Sequence, residues 1–217
     1  MPDLRFAVES AEPLRHASAP HLVFRLAVEQ EQESDLRIET VLLHAQIRIE
    51  PHLRSYDDAS RDRLFELFGA ADQWSRTVHA MLWTHVDVVV PRFSRRCVVD
   101  LSVPCSYDFN IAATQYFDGV NDGDIPLNLL FSGTIFHTNG QGGLRVAPIP
   151  WEKEASFRLP VRSWKEMMEL YYPGSAWLRV GKDVFDRLRE YKRRSGAPTW
   201  ETALERLLDS AGSRVAP

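Results

Sequence analysis

The chain reads as an α+β protein, mainly an antiparallel β-sandwich or open barrel with one inserted helix and about three C-terminal helices. Three observations predict this. Apolar residues alternate with period two through several segments between Leu22 and His137, no crossover helices separate the later segments, and beyond Pro160 the apolar period becomes helical. The turnover falls in Leu144–Val180, around Trp151, Trp164 and Trp177. With 217 residues and 44% apolar content, one large core suffices, so a single domain over 1–217 is expected, β-rich over 1–160 and helical over 161–212.

Taken in order, Leu22, Phe24, Leu26 and Val28 point one way and Arg25 and Glu29 the other, which is a half-buried strand. An acidic EQEQESD turn follows. Val41, Leu43, Ala45, Ile47 and Ile49 form the next apolar face, opposite His44, Gln46, Arg48 and Glu50, and Pro51 ends the strand because it has no N–H to donate. Between Ser55 and Gly69 the spacing of Leu64, Phe65, Leu67 and Phe68 predicts the inserted helix, with Gly69 as its C-terminal cap. WTHVDVVVP, CVVDLSVPC, YDFNIAATQYF and IPLNLLFSGTIFH read as four further strands. Asn139-Gly140 and Gly142-Gly143 supply the turn of a hairpin into LRVAPI.

Past Pro160, Ser163 and Glu166 have capping-box spacing, and Trp164, Met167, Met168 and Tyr171 share one helical face. Pro173-Gly174 stops that helix. A second carries Val184, Phe185, Leu188 and Tyr191 inward, and Thr199 caps a third with Trp200, Ala203, Leu204, Leu207 and Leu208 on its apolar side.

Composition excludes some roles. A net charge of −4 and a pI near 6.0 leave no broad cationic field, so nucleic acid is not an expected partner. The first residues carry acids where a signal peptide has bases, and no apolar run reaches the roughly 20 residues of a membrane span. A cytoplasmic location is expected. Cys97 and Cys105, on one strand, would stand roughly 26 Å apart, too far for a disulfide, and are read as free thiols.

One constellation suggests chemistry. His85-Val-Asp87 with the later His137 has the composition of a facial triad for ferrous iron, and Arg145 could receive a keto-acid cosubstrate. The competing reading is a solvated strand face bearing polar residues two apart. In Asp118–Asp124 carboxylates and glycines suit a hard cation, yet a turn between strands demands the same residues. No G-x-S-x-G, G-x-x-x-x-G-K or G-x-G-x-x-G occurs, and no cofactor is assigned. The remaining signal is aromatic. Trp164, Tyr171, Tyr172 and Trp177 exceed what one buried helical face absorbs, which makes them the candidates for a protein-binding surface.

The phrases QIRIEPHLRSYDD, VDLSVPCSYDFNIAATQYF, DGDIPLNLLFSGTIF, PIPWEKEASFRLPV, YYPGSAWLRV and PTWETALERLL resemble an uncharacterised bacterial family of unknown function, over about residues 20 to 210. Its members are often encoded in actinobacterial gene clusters for nickel–iron hydrogenases. The resemblance implies an accessory role beside a hydrogenase subunit or maturation factor and supplies no catalytic residues. The expected function is therefore a non-enzymatic binding, scaffold or assembly protein. An iron-dependent oxygenase using His85, Asp87 and His137, and a module binding a small molecule or lipid between its sheets, are the alternatives.

Overall fold

The computed structural model describes residues 2–31, 36–106, 111–138, 142–176 and 178–212. The chain forms two compact units, 1–175 and 176–217.

The first unit is built on eight strands: β1 (Leu4–Pro13), β2 (His21–Gln30), β3 (Arg37–Ile49), β4 (Met81–Val90), β5 (Arg96–Pro104), β6 (Asp124–Thr138), β7 (Leu144–Pro148) and β8 (Glu154–Pro160). They make two antiparallel sheets. The smaller has the order β1-β2-β5; the larger runs β4-β3-β6, and the long β6 then pairs with β8 along its first half and β7 along its second. Leu22, Phe24, Leu26 and Val28 of β2 and Val41, Leu43, Ala45, Ile47 and Ile49 of β3 are all buried, as their alternation predicts. Side chains from the two inner faces meet directly. Phe6 stacks on Phe131 with ring centroids 4.3 Å apart, and Phe24 meets Trp83 and Phe157 edge-on at 6.0 and 5.9 Å.

Three elements differ from the sequence expectation. β1 was not anticipated, because Ala, Ser and Glu are weak strand formers and a bulge between Val8 and Ser10 breaks its alternation. Pairing with β2 supplies what propensity lacks, and Arg5 of β1 bonds Glu29 of β2, which also accepts from Arg96 on β5. The segment expected as the strand YDFNIAATQYF instead contains helix α4 (Ile111–Gly119), with residues 107–110 outside the described range. Ala113, Tyr116 and Phe117 lie on one helical face and are buried, so tertiary packing outweighs their β-leaning composition. The inserted helix is two short ones, α1 (Asp58–Arg63) and α2 (Phe65–Phe68), and a third, α3 (Trp74–Thr77), follows beyond Gly69. Asp57 caps α1 by accepting from the Ser60 N–H at 2.9 Å, and Gly69 closes α2 at φ 76°. Leu64 and Phe68 are buried as expected, while Phe65 faces out.

Helix α5 (Val161–Tyr171) follows β8 without a loop. Its N-cap is Pro160, whose ring presets the entry, so Ser163 lies inside the helix and the expected capping box does not form. Trp164, Met167 and Met168 are buried. Trp164 enters a continuous aromatic array: it lies 4.4 Å from Phe117, which lies 4.8 Å from Trp83 and 6.1 Å from Tyr116. The array goes on through Phe68 and Trp74 to Tyr56, whose hydroxyl sits 2.7 Å from that of Tyr116 and donates to the Pro51 carbonyl. The indole N–H of Trp164 donates to Asp118 at 3.2 Å. Helices α2, α3, α4 and α5 each contribute at least one ring to the array.

Cys97 and Cys105 are free thiols, and burial pushes the Cys105 thiol up to about 12, which leaves it unreactive. The second unit contains α6 (Lys182–Arg194) and α7 (Trp200–Gly212). Among the described residues no helix is long and apolar enough to cross a membrane.

Trp164→Ala should destabilise the first unit by roughly 3–5 kcal/mol in denaturant titration. Trp151→Ala, at a position 90% exposed, should shift it by less than about 0.5 kcal/mol.

Candidate partner-binding face of the larger sheet

The aromatic candidates on α5 are mostly anchored inward. Trp164 is 2% exposed and so presents no surface, which corrects its assignment to a partner contact: its ring is the centre of the core array. Tyr171 is half-buried, and its hydroxyl donates to the Leu14 carbonyl at 2.5 Å and accepts from the Ala17 N–H at 3.1 Å, which ties α5 to the β1–β2 connection. Tyr172 is half-buried and packs against the core. Trp177 lies outside the described residues.

The proposed iron ligands divide between opposite faces of one sheet. On β4, His85 and Asp87 are exposed and point outward, whereas His137 on β6 shares the inner face with Ile135 and is 6% exposed. Strand alternation therefore keeps the three from meeting at one ion. Among the described residues no group of three His, Cys, Asp or Glu side chains is placed to hold a metal. Arg145 sits opposite His137 in the β6–β7 register and is exposed. In the Asp118–Asp124 loop, cationic side chains already serve the carbonyls: Arg54 bonds those of Asp122 and Asp124, and Lys165 bonds that of Asn121 at 2.7 Å. The space between the sheets, where a small ligand would lie, is occupied by the Phe6–Phe131 and Phe24–Trp83 contacts.

His85 and Asp87 instead join a residue the triad did not include. His44 of β3 pairs in register with Asp87, its Nδ1 lies 2.7 Å from the Asp87 carboxylate, and its ring stacks on that of His85 with centroids 5.1 Å apart. The next outward row is mostly apolar. Val89, Leu42, Thr134 and Pro148 stand side by side across β4, β3, β6 and β7, and Phe136 and Val146 pair in the row beyond. Leu42 is 49% exposed, Val89 63% and Val146 61%.

Between the two rows the sheet is dented. A depression of about 360 Å³ is lined by Leu42, His44, Asp87, Val89, Gly133 and Thr134, among others. Gly133 lies in its lining: its φ is 137°, and a Cβ there would come within 2.0 Å of the Leu42 carbonyl oxygen, so the position requires glycine. The strand's partner also changes here, since Gly133 accepts from the Ile149 N–H after β7 and Phe131 donates to Lys153 before β8. Sequence reasoning placed His44 on the polar side of β3 and passed over Leu42 two residues before it. The available signal was an apolar residue out of phase with its strand, matched by Val89 in the unbroken Val88–Val90 run.

His137 has a structural consequence of its own. Burial, then the nearby Arg145 charge, lowers its pKa from the ordinary imidazole value, and among the described residues its buried Nδ1 has no hydrogen-bond partner.

The chain belongs to a family of unknown function (DUF6084), whose profile it matches over residues 1–216. No curated protein matches it. Similar solved structures include a protein described as late embryogenesis abundant, at 12% identity and TM-score 0.30, covering 74% of this chain and 73% of the other. A β-glucosidase from Kluyveromyces marxianus shows 12% identity and TM-score 0.25, covering 72% of this chain and 15% of its own. A protein from Archaeoglobus fulgidus shows 13% identity and TM-score 0.25, covering 70% and 96%.

Gly133→Val should destabilise the first unit by roughly 2–3 kcal/mol, through strain at positive φ and the clash with Leu42, read from its denaturation midpoint. His137 favours the neutral form when folded, so its contribution to stability is complete above its unfolded pKa of about 6.5 and declines as pH falls toward the lower folded value. Thermal melts should accordingly show a smaller loss between about pH 7 and pH 5 for His137→Leu than for the parent chain.

Proposed function

We propose that the protein is a non-enzymatic binding or assembly factor whose docking surface is the outer face of the larger sheet. The observation that carries this reading is the row Val89–Leu42–Thr134–Pro148, with Phe136 and Val146 beyond it. The solvent side of an antiparallel sheet is ordinarily polar, so adjacent apolar side chains there mark a surface that a partner covers. The His44–Asp87 pair and the His85 ring border the patch, where polar groups set register more than affinity. The depression bordered by Leu42, Val89 and Thr134 offers a recess for a side chain of the partner.

The family resemblance directs the search for that partner to nickel–iron hydrogenase subunits and their maturation factors. On this reading the protein works in a bacterial cytoplasm and performs no reaction of its own.

Affinity purification from the native host, with identification of the co-isolated proteins, tests the reading. Leu42→Asp combined with Val89→Asp should cut partner recovery at least ~10-fold while the melting temperature stays within a few degrees, because both side chains are exposed. Undiminished recovery with the double variant would remove the sheet face from consideration.

A further inference from the structure

The C-terminal unit leaves its apolar stripes open. Helix α6 turns Val184, Phe185, Leu188 and Tyr191 to one side, and α7 does the same with Trp200, Leu204 and Leu208. Contacts within the unit link the start of α6 and the α6–α7 turn to α7. The Phe185 and Trp200 rings lie 5.5 Å apart, Lys192 donates to the Pro198 carbonyl at 3.0 Å, and Arg206 donates to that of Ser195 at 2.6 Å. Of the two helices only Ala203 is buried; Val184, Phe185, Trp200 and Leu204 are each at least 36% exposed, and Leu208 is 70% exposed. A helical pair of this size is too small to seal a core alone, so the stripes are a surface for something else.

Charge decides what covers them. Helix α6 carries six basic and three acidic residues, while α7 carries one basic and three acidic. An anionic bilayer or an acidic peptide would meet repulsion from Glu201, Glu205 and Asp209 on α7, and a basic partner would meet it from α6. A surface whose two halves bear opposite sign is complementary to itself under a two-fold rotation. Most charges of α6 are spent locally: Asp186 pairs with Lys182 and Arg189, and Glu190 with Arg193 and Arg194, which holds the Glu190 carboxyl down at about 2. Arg187 on α6, one turn from both Val184 and Tyr191, and Glu205 on α7, one turn from Leu208, have no ion-pair partner among the described residues.

We propose that two copies of the chain associate through α6 and α7 in an isologous contact, α6 of each against α7 of the other, with Arg187 facing Glu205 of the second copy. The contact uses none of the sheet-face residues and goes beyond the binding reading above.

Sedimentation of the full chain over about 1 to 100 μM tests this. A concentration-dependent dimer is expected, weakened at least ~10-fold by Leu208→Asp and by Arg187→Glu or Glu205→Arg alone. The double charge swap, Arg187→Glu with Glu205→Arg, should restore it, and far-UV circular dichroism should match the parent chain in every variant. All three side chains face solvent in the single chain, so these changes spare its fold. A monomer across the range, a dimer indifferent to Leu208→Asp, or a double swap no better than the single changes would overturn the proposal. So would a monomer that pellets with vesicles of mixed phosphatidylglycerol and phosphatidylcholine, which would give the stripes to a bilayer. The Leu42→Asp, Val89→Asp variant should dimerise normally, so this test and that of the sheet face fail separately.

Discussion

The contact between Trp83, Phe117 and Trp164 is the constraint on which the first unit depends. Trp83 comes from the larger sheet, Phe117 from a helix between β5 and β6, and Trp164 from the helix that continues β8. Phe24 of the smaller sheet touches Trp83 from the other side, so one group of rings joins both sheets and two helices. Large rigid rings fill such a junction at little cost in side-chain entropy, and edge-on geometry sets their mutual orientation. Short helices that could not persist alone are held by the rings they contribute, as Phe68 does for α2 and Trp74 for α3.

The inner face is packed with these rings, whereas the outer face carries a different chemistry. The outer face of the larger sheet departs from the polar surface an antiparallel sheet normally shows. Its apolar row, the His44–Asp87 pair and the dent over Gly133 lie on neighbouring positions of adjacent strands. A face of this kind offers area, a recess and a polar border. The second unit shows the same logic in helical form, with apolar stripes flanked by charges of opposite sign.

Much of this was legible beforehand. The strict alternation in β2 and β3 announced their buried faces, since a shift of one residue would turn every apolar side chain into water. β1 was hidden by its bulge and by Ala and Glu residues whose pairing with β2 no local pattern reveals. In α4, aromatic and β-branched residues suggested a strand, and only the demand for Ala113, Tyr116 and Phe117 on one face selects the helix. The site was harder still. His85 and Asp87 were visible as a pair, but their true neighbour, His44, is forty residues away and reaches them through strand register.

Local periodicity and charge were enough to establish an antiparallel α+β chain with helices at its C-terminal end, because side-chain alternation and turn chemistry act over a few residues. Which face each strand turned to which neighbour was decided by tertiary structure alone. That choice separated His137 from His85 and Asp87 and set Leu42 beside Val89, since register between strands distant in the chain is fixed by how the completed core packs.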